Sequence, residues 1–309
     1  MRCCTRPGSS AIRPGRLPLL ALAPLLVLIM NNQATAQKIH ATQADLIYAT
    51  EGETPLRLDL YLPEADQKPA GLIVWIHGGA WRAGTKSQVP IKGILQHGLA
   101  IASVDYRLST EAAFPAQLHD ITRAIAFLRR NAGKFSIDPE RIAIAGSSAG
   151  GHLAALAGVA SNVTQLAGRS EDGRPLPAEA LRISAIVSLY GASNLETILQ
   201  QSTPHGLNVR IPALQLLLRA QPDENPALAR LASPVTHVDS KDPPLLLIHG
   251  DQDIQMPINQ SHELRGAYLS VGGKVEFDVI HGGGHGGEKF YTQDRLQRIA
   301  TFIKQSFTD

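Results

Sequence analysis

The sequence predicts an α/β fold, with a mostly parallel sheet covered by helices on both faces. Three observations carry that prediction. Short apolar or alternating runs recur at about 72–76, 100–104, 141–145, 186–190, 245–248 and 275–279. Helical patterns separate them at about 114–131, 257–271 and 290–305. A strand-like run, a glycine-serine turn and a small-residue helix meet at Gly146-Ser147-Ser148-Ala149-Gly150. Strands alternating with helices favour a parallel sheet, because each crossover helix packs back onto the strands it connects.

Taken in order, Leu56 to Leu62 alternates apolar and polar residues and reads as a half-exposed edge strand. Leu72-Ile73-Val74-Trp75-Ile76 and Ala100-Ile101-Ala102-Ser103-Val104 are continuous runs suited to strands covered on both faces. Phe114-Pro115 opens a helix to about Asn131, with Leu118, Ile121, Ile125 and Leu128 spaced for one face. Ser161 to Pro177, rich in Gly, Ser and charge, reads as a surface excursion. The stretch 191–242 is too long for an ordinary connection. It carries prolines at 204, 212, 222, 226 and 234 and an apolar helical piece at Leu214–Leu218. It reads as a small lid or substrate-binding insertion, not a second domain.

The first 36 residues stand apart. Arg2, Arg6, Arg13 and Arg16 precede an apolar run from Leu17 to Met30, and Ala34-Thr35-Ala36 supplies an A-x-A site. This reads as a secretory signal peptide cleaved after Ala36, leaving 37–309 as one domain. The apolar run, broken by Pro18 and Pro24, is short for a membrane span. Cleavage would remove four of the 29 basic residues and none of the 27 acidic ones, so net charge would pass from +2 to −2. That balance offers no attraction to nucleic acid or to anionic membranes. Cys3 and Cys4 would also be lost, leaving an exported domain without disulfides or thiols. With 44% hydrophobic residues such a domain can stand on its core alone. Export to the periplasm or medium of a bacterium is the expectation. Nothing in the pattern specifies an oligomeric state.

The chemistry centres on Ser148. G-x-S-x-G between strand and helix holds a serine on a strained turn with its Oγ exposed, and flanking glycines admit the close passage of strand past helix. A hydroxyl is a weak nucleophile and needs a base, an orienting acid and an oxyanion cradle. Parallel sheets gather such groups at their carboxyl edge. After 245–248 come Asp251 and Asp253; after 275–279 come His281 and His285. Asp253 and His285 are the preferred acid and base. His285 lies further along a glycine run able to reach back to Ser148. Asp251 is suited to holding its turn, and His281 to a structural role. His77-Gly78-Gly79-Ala80-Trp81 follows an apolar strand and reads as the cradle. Its donors are expected to be the amides of Gly79, Ala80 and, from the elbow, Ala149, with Gly78 shaping the turn. Trp81 and Ser147 are the candidate substrate-binding residues. No metal site is expected: glycines separate His281 from His285, and no H-E-x-x-H occurs. No cofactor is implied.

These motifs occur together with Asp105-Tyr106-Arg107-Leu108, Asp120, Ser136-Ile137-Asp138-Pro139-Glu140-Arg141-Ile142, Ser233-Pro234 and Pro243-Pro244-Leu245 through Pro257. Jointly they resemble the α/β-hydrolase superfamily over nearly the whole chain after residue 36. The nearest branch is the bacterial esterase/lipase group related to hormone-sensitive lipase and to bifunctional feruloyl and acetyl-xylan esterases. The resemblance implies Ser148 as nucleophile, His285 as base and Asp253 as acid. It also implies a buried pair of Arg107 with Asp120 under the site floor. Two departures stand out. The cradle reads H-G-G-A-W where lipase-like members have H-G-G-G, a form also similar to arylformamidases. Ser147 stands where many relatives carry acidic or other residues. The expected activity is hydrolysis of a carboxylic ester with a short or aryl acyl group, including acetylated or feruloylated carbohydrate. An arylformamidase-like amidase or a peptidase with the same triad, and a catalytically inactive binding module, are the alternatives.

Overall fold

The computed structural model describes residues 39–64, 69–170 and 172–308. The expected signal peptide, its cleavage site and both cysteines lie outside the described residues. Eight strands form one sheet in the order β1-β2-β4-β3-β5-β6-β7-β8. They are β1 (Gln43–Glu51), β2 (Thr54–Tyr61), β3 (Ala70–Ile76), β4 (Leu99–Val104), β5 (Ile137–Ser147), β6 (Ala185–Leu189), β7 (Leu245–Gly250) and β8 (Val275–Ile280). The helices are α1 (Ala116–Arg130), α2 (Ala149–Val159), α3 (Ile198–Gln201), α4 (Pro204–Leu218), α5 (Pro226–Leu231), α6 (Asn259–Ser270) and α7 (Gln293–Ser306). From β4 through β8 every neighbouring pair is parallel; β2 runs antiparallel to both β1 and β4.

Successive side chains of a strand point to opposite faces, and β3 feeds both cores accordingly. Leu72, Val74 and Ile76 join a cluster with residues of α1, α2 and α6, while Ile73 and Trp75 join one with residues of α7 and with Ile94. The five residues of β6 and the six of β4 are all buried, as strands covered on both faces require. Among the described residues, no helix is long and apolar enough to cross a membrane.

Two expectations change. The strand at 56–62 is not an edge: β2 sits between β1 and β4, and Leu56, Leu58 and Leu60 are buried. Its polar Asp59 is buried against Lys86 at 2.8 Å, so the alternation marks an ion pair rather than solvent. The edge is β1, which sequence reading missed. Its register shifts twice against β2, and Asp45 adopts φ 55°, so bulges break the alternation that identifies a strand.

The insertion at 191–242 holds α3, α4 and α5. Thr203 caps α4 by accepting from the Gly206 amide at 3.0 Å, with Pro204 in its first turn. Ala213, Leu214, Leu217 and Leu218 are buried in the larger core, so α4 is an integral wall and not a loose flap.

Candidate active site

Ser148 occupies the turn between β5 and α2 with φ 54° and ψ −120°, a region that costs a non-glycine residue free energy and persists only where the surroundings enforce it. Enforcement comes from close packing: a Cβ on Gly150 would lie 2.1 Å from the Ile76 carbonyl oxygen, and one on Gly146 would lie 2.3 Å from that of Gly150. The Ser148 amide donates to the Leu189 carbonyl at 2.9 Å, tying the elbow to β6.

The loops that follow β7 and β8 carry the partners. Ser148 Oγ lies 2.9 Å from His285 Nε2, and His285 Nδ1 lies 2.7 Å from Asp253 Oδ2. A carboxylate can only accept, so Nδ1 carries the proton and Nε2 is left to accept from the serine hydroxyl. The ring of Tyr190 meets the His285 imidazole edge-on at 4.8 Å. The glycine run lets the His285 loop fold back against the end of β7, where a Cβ on Gly250 would lie 2.2 Å from the Gly283 carbonyl oxygen.

Asp253 is a saturated acceptor. Oδ1 takes the amides of Gln255 at 2.9 Å and Met256 at 2.8 Å, and Oδ2 takes His285 together with His249 Nε2 at 3.3 Å. Burial pushes its pKa up, but the hydrogen bonds from His249, His285 and the Met256 amide outweigh burial and hold the carboxyl well below the usual carboxylate range. His249, fully buried, is a site residue that sequence reading did not single out. Its Nε2 also donates to the Met256 carbonyl at 3.0 Å, and Nδ1 accepts from Ser261 Oγ at 2.7 Å. The signal was present in His249-Gly250-Asp251-Gln252-Asp253, because a histidine four residues before the acid bridges the turn.

Asp251 and His281 form a separate pair. Asp251 accepts the Gly282 amide at 2.8 Å and His281 Nδ1 at 2.9 Å, with the His281 side chain 88% exposed.

The cradle lies against the elbow: a Cβ on Gly78 would sit 2.9 Å from the Ser147 carbonyl oxygen and 3.4 Å from Ser148 Cβ. Gly79, Ala80 and Trp81 follow with φ 109°, 52° and 59°. The amides of Gly79 and Ala80 donate to no acceptor among the described residues, and the Ala149 amide opens α2, where no intrahelical acceptor exists. Lys86 anchors the far end of this loop, its amide bonding Asp105 at 2.6 Å and its ammonium reaching Asp45 and Asp59. Below the floor, Arg107 grips Asp120 with two side-chain bonds of 2.7 and 2.8 Å.

Trp81 corrects the expectation for it. The left-handed turn at Ala80–Trp81 drives the indole into the core, where it is fully buried. Its Nε1 donates to His152 Nδ1 at 3.1 Å, and His152 Nε2 donates to the Ala232 carbonyl at 2.7 Å. Burial pushes the His152 pKa down to about 4, so this imidazole is a neutral strut joining cradle, α2 and insertion. Trp81 therefore lines no part of the substrate cleft. Ser147 does line it, next to the phenols of Tyr190 and Tyr291, which share a hydrogen bond of 2.7 Å. The cleft encloses about 880 Å³ over Ser148 and His285, and Val209 of α4 and Gln255 close one side. Among the described residues, no group of three or more His, Cys, Asp or Glu converges to hold a metal ion.

A serine on a strained strand-to-helix turn, with its acid and histidine after later parallel strands, defines an α/β-hydrolase fold. The chain belongs to the BD-FAE family, whose family model matches residues 58–268. Esterase LipC of Mycobacterium tuberculosis is 32% identical over 248 residues, covering 77% of this chain and 59% of LipC. Isoprenylcysteine alpha-carbonyl methylesterase of Arabidopsis thaliana is 30% identical over 246 residues, covering 78% of this chain and 56% of that protein. The chain thus spans little more than half the length of these relatives. The solved structure of a truncated carbohydrate esterase from gut microbiota superposes with a TM-score of 0.77 at 31% identity, covering 89% of this chain and 99% of that one. A thermophilic esterase from Thermogutta terrifontis shares the fold, with a TM-score of 0.70 at 22% identity over 87% of this chain and 95% of that one.

Proposed function

We propose that this protein is a serine carboxylic-ester hydrolase working through an acyl-enzyme on Ser148. The observation that carries the reading is the unbroken relay from Ser148 through His285 to Asp253, set beside amides free to receive an oxyanion. Ser148 Oγ attacks the ester carbonyl while His285 Nε2 takes its proton, and the amides of Gly79, Ala80 and Ala149 hold the oxyanion. Collapse breaks the C–O bond, and His285 returns the proton to the departing alcohol. Water, activated by the same imidazole, then releases the acid and restores the serine. Asp253 stays ionised throughout, which its depressed pKa favours.

The substrate is an ester with a short or aryl acyl group, including acetylated or feruloylated carbohydrate. The carbohydrate-esterase structure at 31% identity supports this class, and the cleft has the volume of an ordinary small-molecule site. The tryptophan that invited comparison with arylformamidases is turned into the core, so the ester reading rests on the relatives and not on that residue. The enzyme is exported to the periplasm or medium after removal of residues 1–36; support for this comes from the amino-terminal sequence alone.

Fluorophosphonate labelling with parallel assays tests the catalytic reading. The wild-type chain forms a covalent adduct and Ser148→Ala does not, with turnover lower by on the order of 10⁶. Near wild-type turnover in Ser148→Ala, or no adduct on folded wild-type protein, would favour a binding module. A panel of p-nitrophenyl acyl esters, acetyl-xylan, methyl ferulate and N-formylkynurenine resolves the substrate. Fastest turnover of the formyl amide overturns the ester assignment and leaves the triad standing. Amino-terminal sequencing of secreted protein should begin at Gln37; intact Met1 on envelope protein contradicts cleavage.

A further inference from the structure

One arginine lines the cleft and a second lies behind it, and among the described residues neither hydrogen-bonds an acidic side chain. Arg82 follows the cradle and lines the cleft that exposes Ser148 and His285. Among the described residues its guanidinium makes no hydrogen bond or ion pair, although the other lining residues include neither aspartate nor glutamate. Arg210 of α4 lies one layer behind, beside the lining residue Val209, and is fully buried. Its Nη2 donates to the Gln255 carbonyl at 3.2 Å, while Nε and Nη1 have no partner. A buried guanidinium with unpaired N–H groups is costly, and such an exception calls for a physical explanation. The ionised Asp253 acts on Arg210 electrostatically without hydrogen-bonding it, since its oxygens are taken by His249, His285 and two amides. Burial lowers the Arg210 pKa only to about 10, so the side chain remains charged at neutral pH. Among the described lining residues Arg82 is the one arginine, lysine or carboxylate on the cleft wall, while behind it the charge of Arg210 faces that of Asp253. A cleft lined by one sign of charge concentrates ligands of the other.

The geometry points to Arg82 as the specificity element for esters that carry a second, ionised acid group, on the acyl side or on the alcohol side. A uronic-acid sugar ester and a half-ester of a dicarboxylic acid are both of this class. The inference rests on the ester-hydrolase reading and deepens it. A guanidinium matches a carboxylate with two parallel N–H bonds, and a neutral ester of the same length leaves that capacity unused.

Paired esters test it. On the acyl side, mono-4-nitrophenyl glutarate is compared with 4-nitrophenyl valerate; on the alcohol side, 3-acetoxybenzoate is compared with phenyl acetate. The kcat/KM ratio of the anionic to the neutral ester should fall by at least about tenfold in Arg82→Gln for one pair, and Arg82→Lys should restore part of it. The pair that responds identifies the side bearing the charge. In the wild type the same ratio should decline with added salt, a readout that needs no variant. Turnover of the neutral esters with ratios that neither Arg82→Gln nor salt alters overturns the charge assignment and leaves the hydrolase intact. Hydrolysis of none of the four esters overturns the ester-hydrolase reading, and this inference with it.

Discussion

Two aspartate–histidine pairs stand side by side at the carboxyl edge of the sheet. Asp253 with His285 and Asp251 with His281 leave the same two strands, and their hydrogen bonds are 2.7 and 2.9 Å long. Chemically they are the same pair of groups. They differ in surroundings: Asp253 is buried and receives two amides and a second histidine, whereas the His281 side chain is 88% exposed. Only His285 has a hydroxyl at its other nitrogen. In water an ion pair of the second kind contributes little. In the mechanism proposed above, the first fixes a tautomer and would support the imidazolium formed during proton transfer. Environment, more than residue type, separates a catalytic arrangement from a turn clasp.

The largest expected effect breaks this comparison at the base. His285→Ala should lower kcat for p-nitrophenyl acetate by roughly 10⁴-fold or more, while His281→Ala changes it by less than about twofold. Equal losses would make the two pairs functionally equivalent. Next comes the acid. Asp253→Asn should cost roughly 10³- to 10⁴-fold by releasing the His285 tautomer, and Asp251→Asn should show in thermal stability instead. A kcat unaffected by Asp253→Asn would remove that residue from the relay.

A third histidine sharpens the contrast through stability. His152 is buried and neutral in the folded chain, with a pKa near 4 against an ordinary 6.5. Between those values the unfolded chain binds a proton that the folded chain refuses. Stability from this group is therefore full above about pH 6.5 and lost as pH falls toward 4, by about 3 kcal/mol in all. Urea unfolding at several pH values should show a shallower acid slope in His152→Gln than in the wild type. Equal slopes would count against a buried neutral imidazole. The smallest effect concerns its partner. Trp81→Phe removes the indole donor and leaves His152 Nδ1 unpaired, at a cost of about 1–3 kcal/mol read as a lower Tm. A raised KM with an unchanged Tm would return Trp81 to the substrate cleft.

Much of this architecture was legible in the chain. The apolar runs at 72–76, 100–104 and 245–248 lie within parallel strands, because burial on both faces demands continuous apolar residues whatever their neighbours. The elbow was legible for a related reason: glycine at 146 and 150 is required by local collisions that sequence spacing encodes. β1 was not legible, since its pairing partner, and not its own alternation, holds its bulged backbone extended. Asp59 misled in the opposite sense, a polar residue buried because Lys86 reaches it from a distant loop.

Sequence alone determined the local devices: the strand periodicities, the serine turn, and the glycine run that gives His285 its reach. Tertiary structure decided everything that depends on what a side chain meets after folding. It turned Trp81 inward onto His152, gave Asp253 its second histidine, and left two nitrogens of Arg210 buried without a hydrogen-bond partner. The physical reason is range. Backbone sterics and apolar periodicity act over a few residues and are written in the chain, whereas burial and charge pairing are set by segments as distant as Ser148 and His285, which are 137 residues apart.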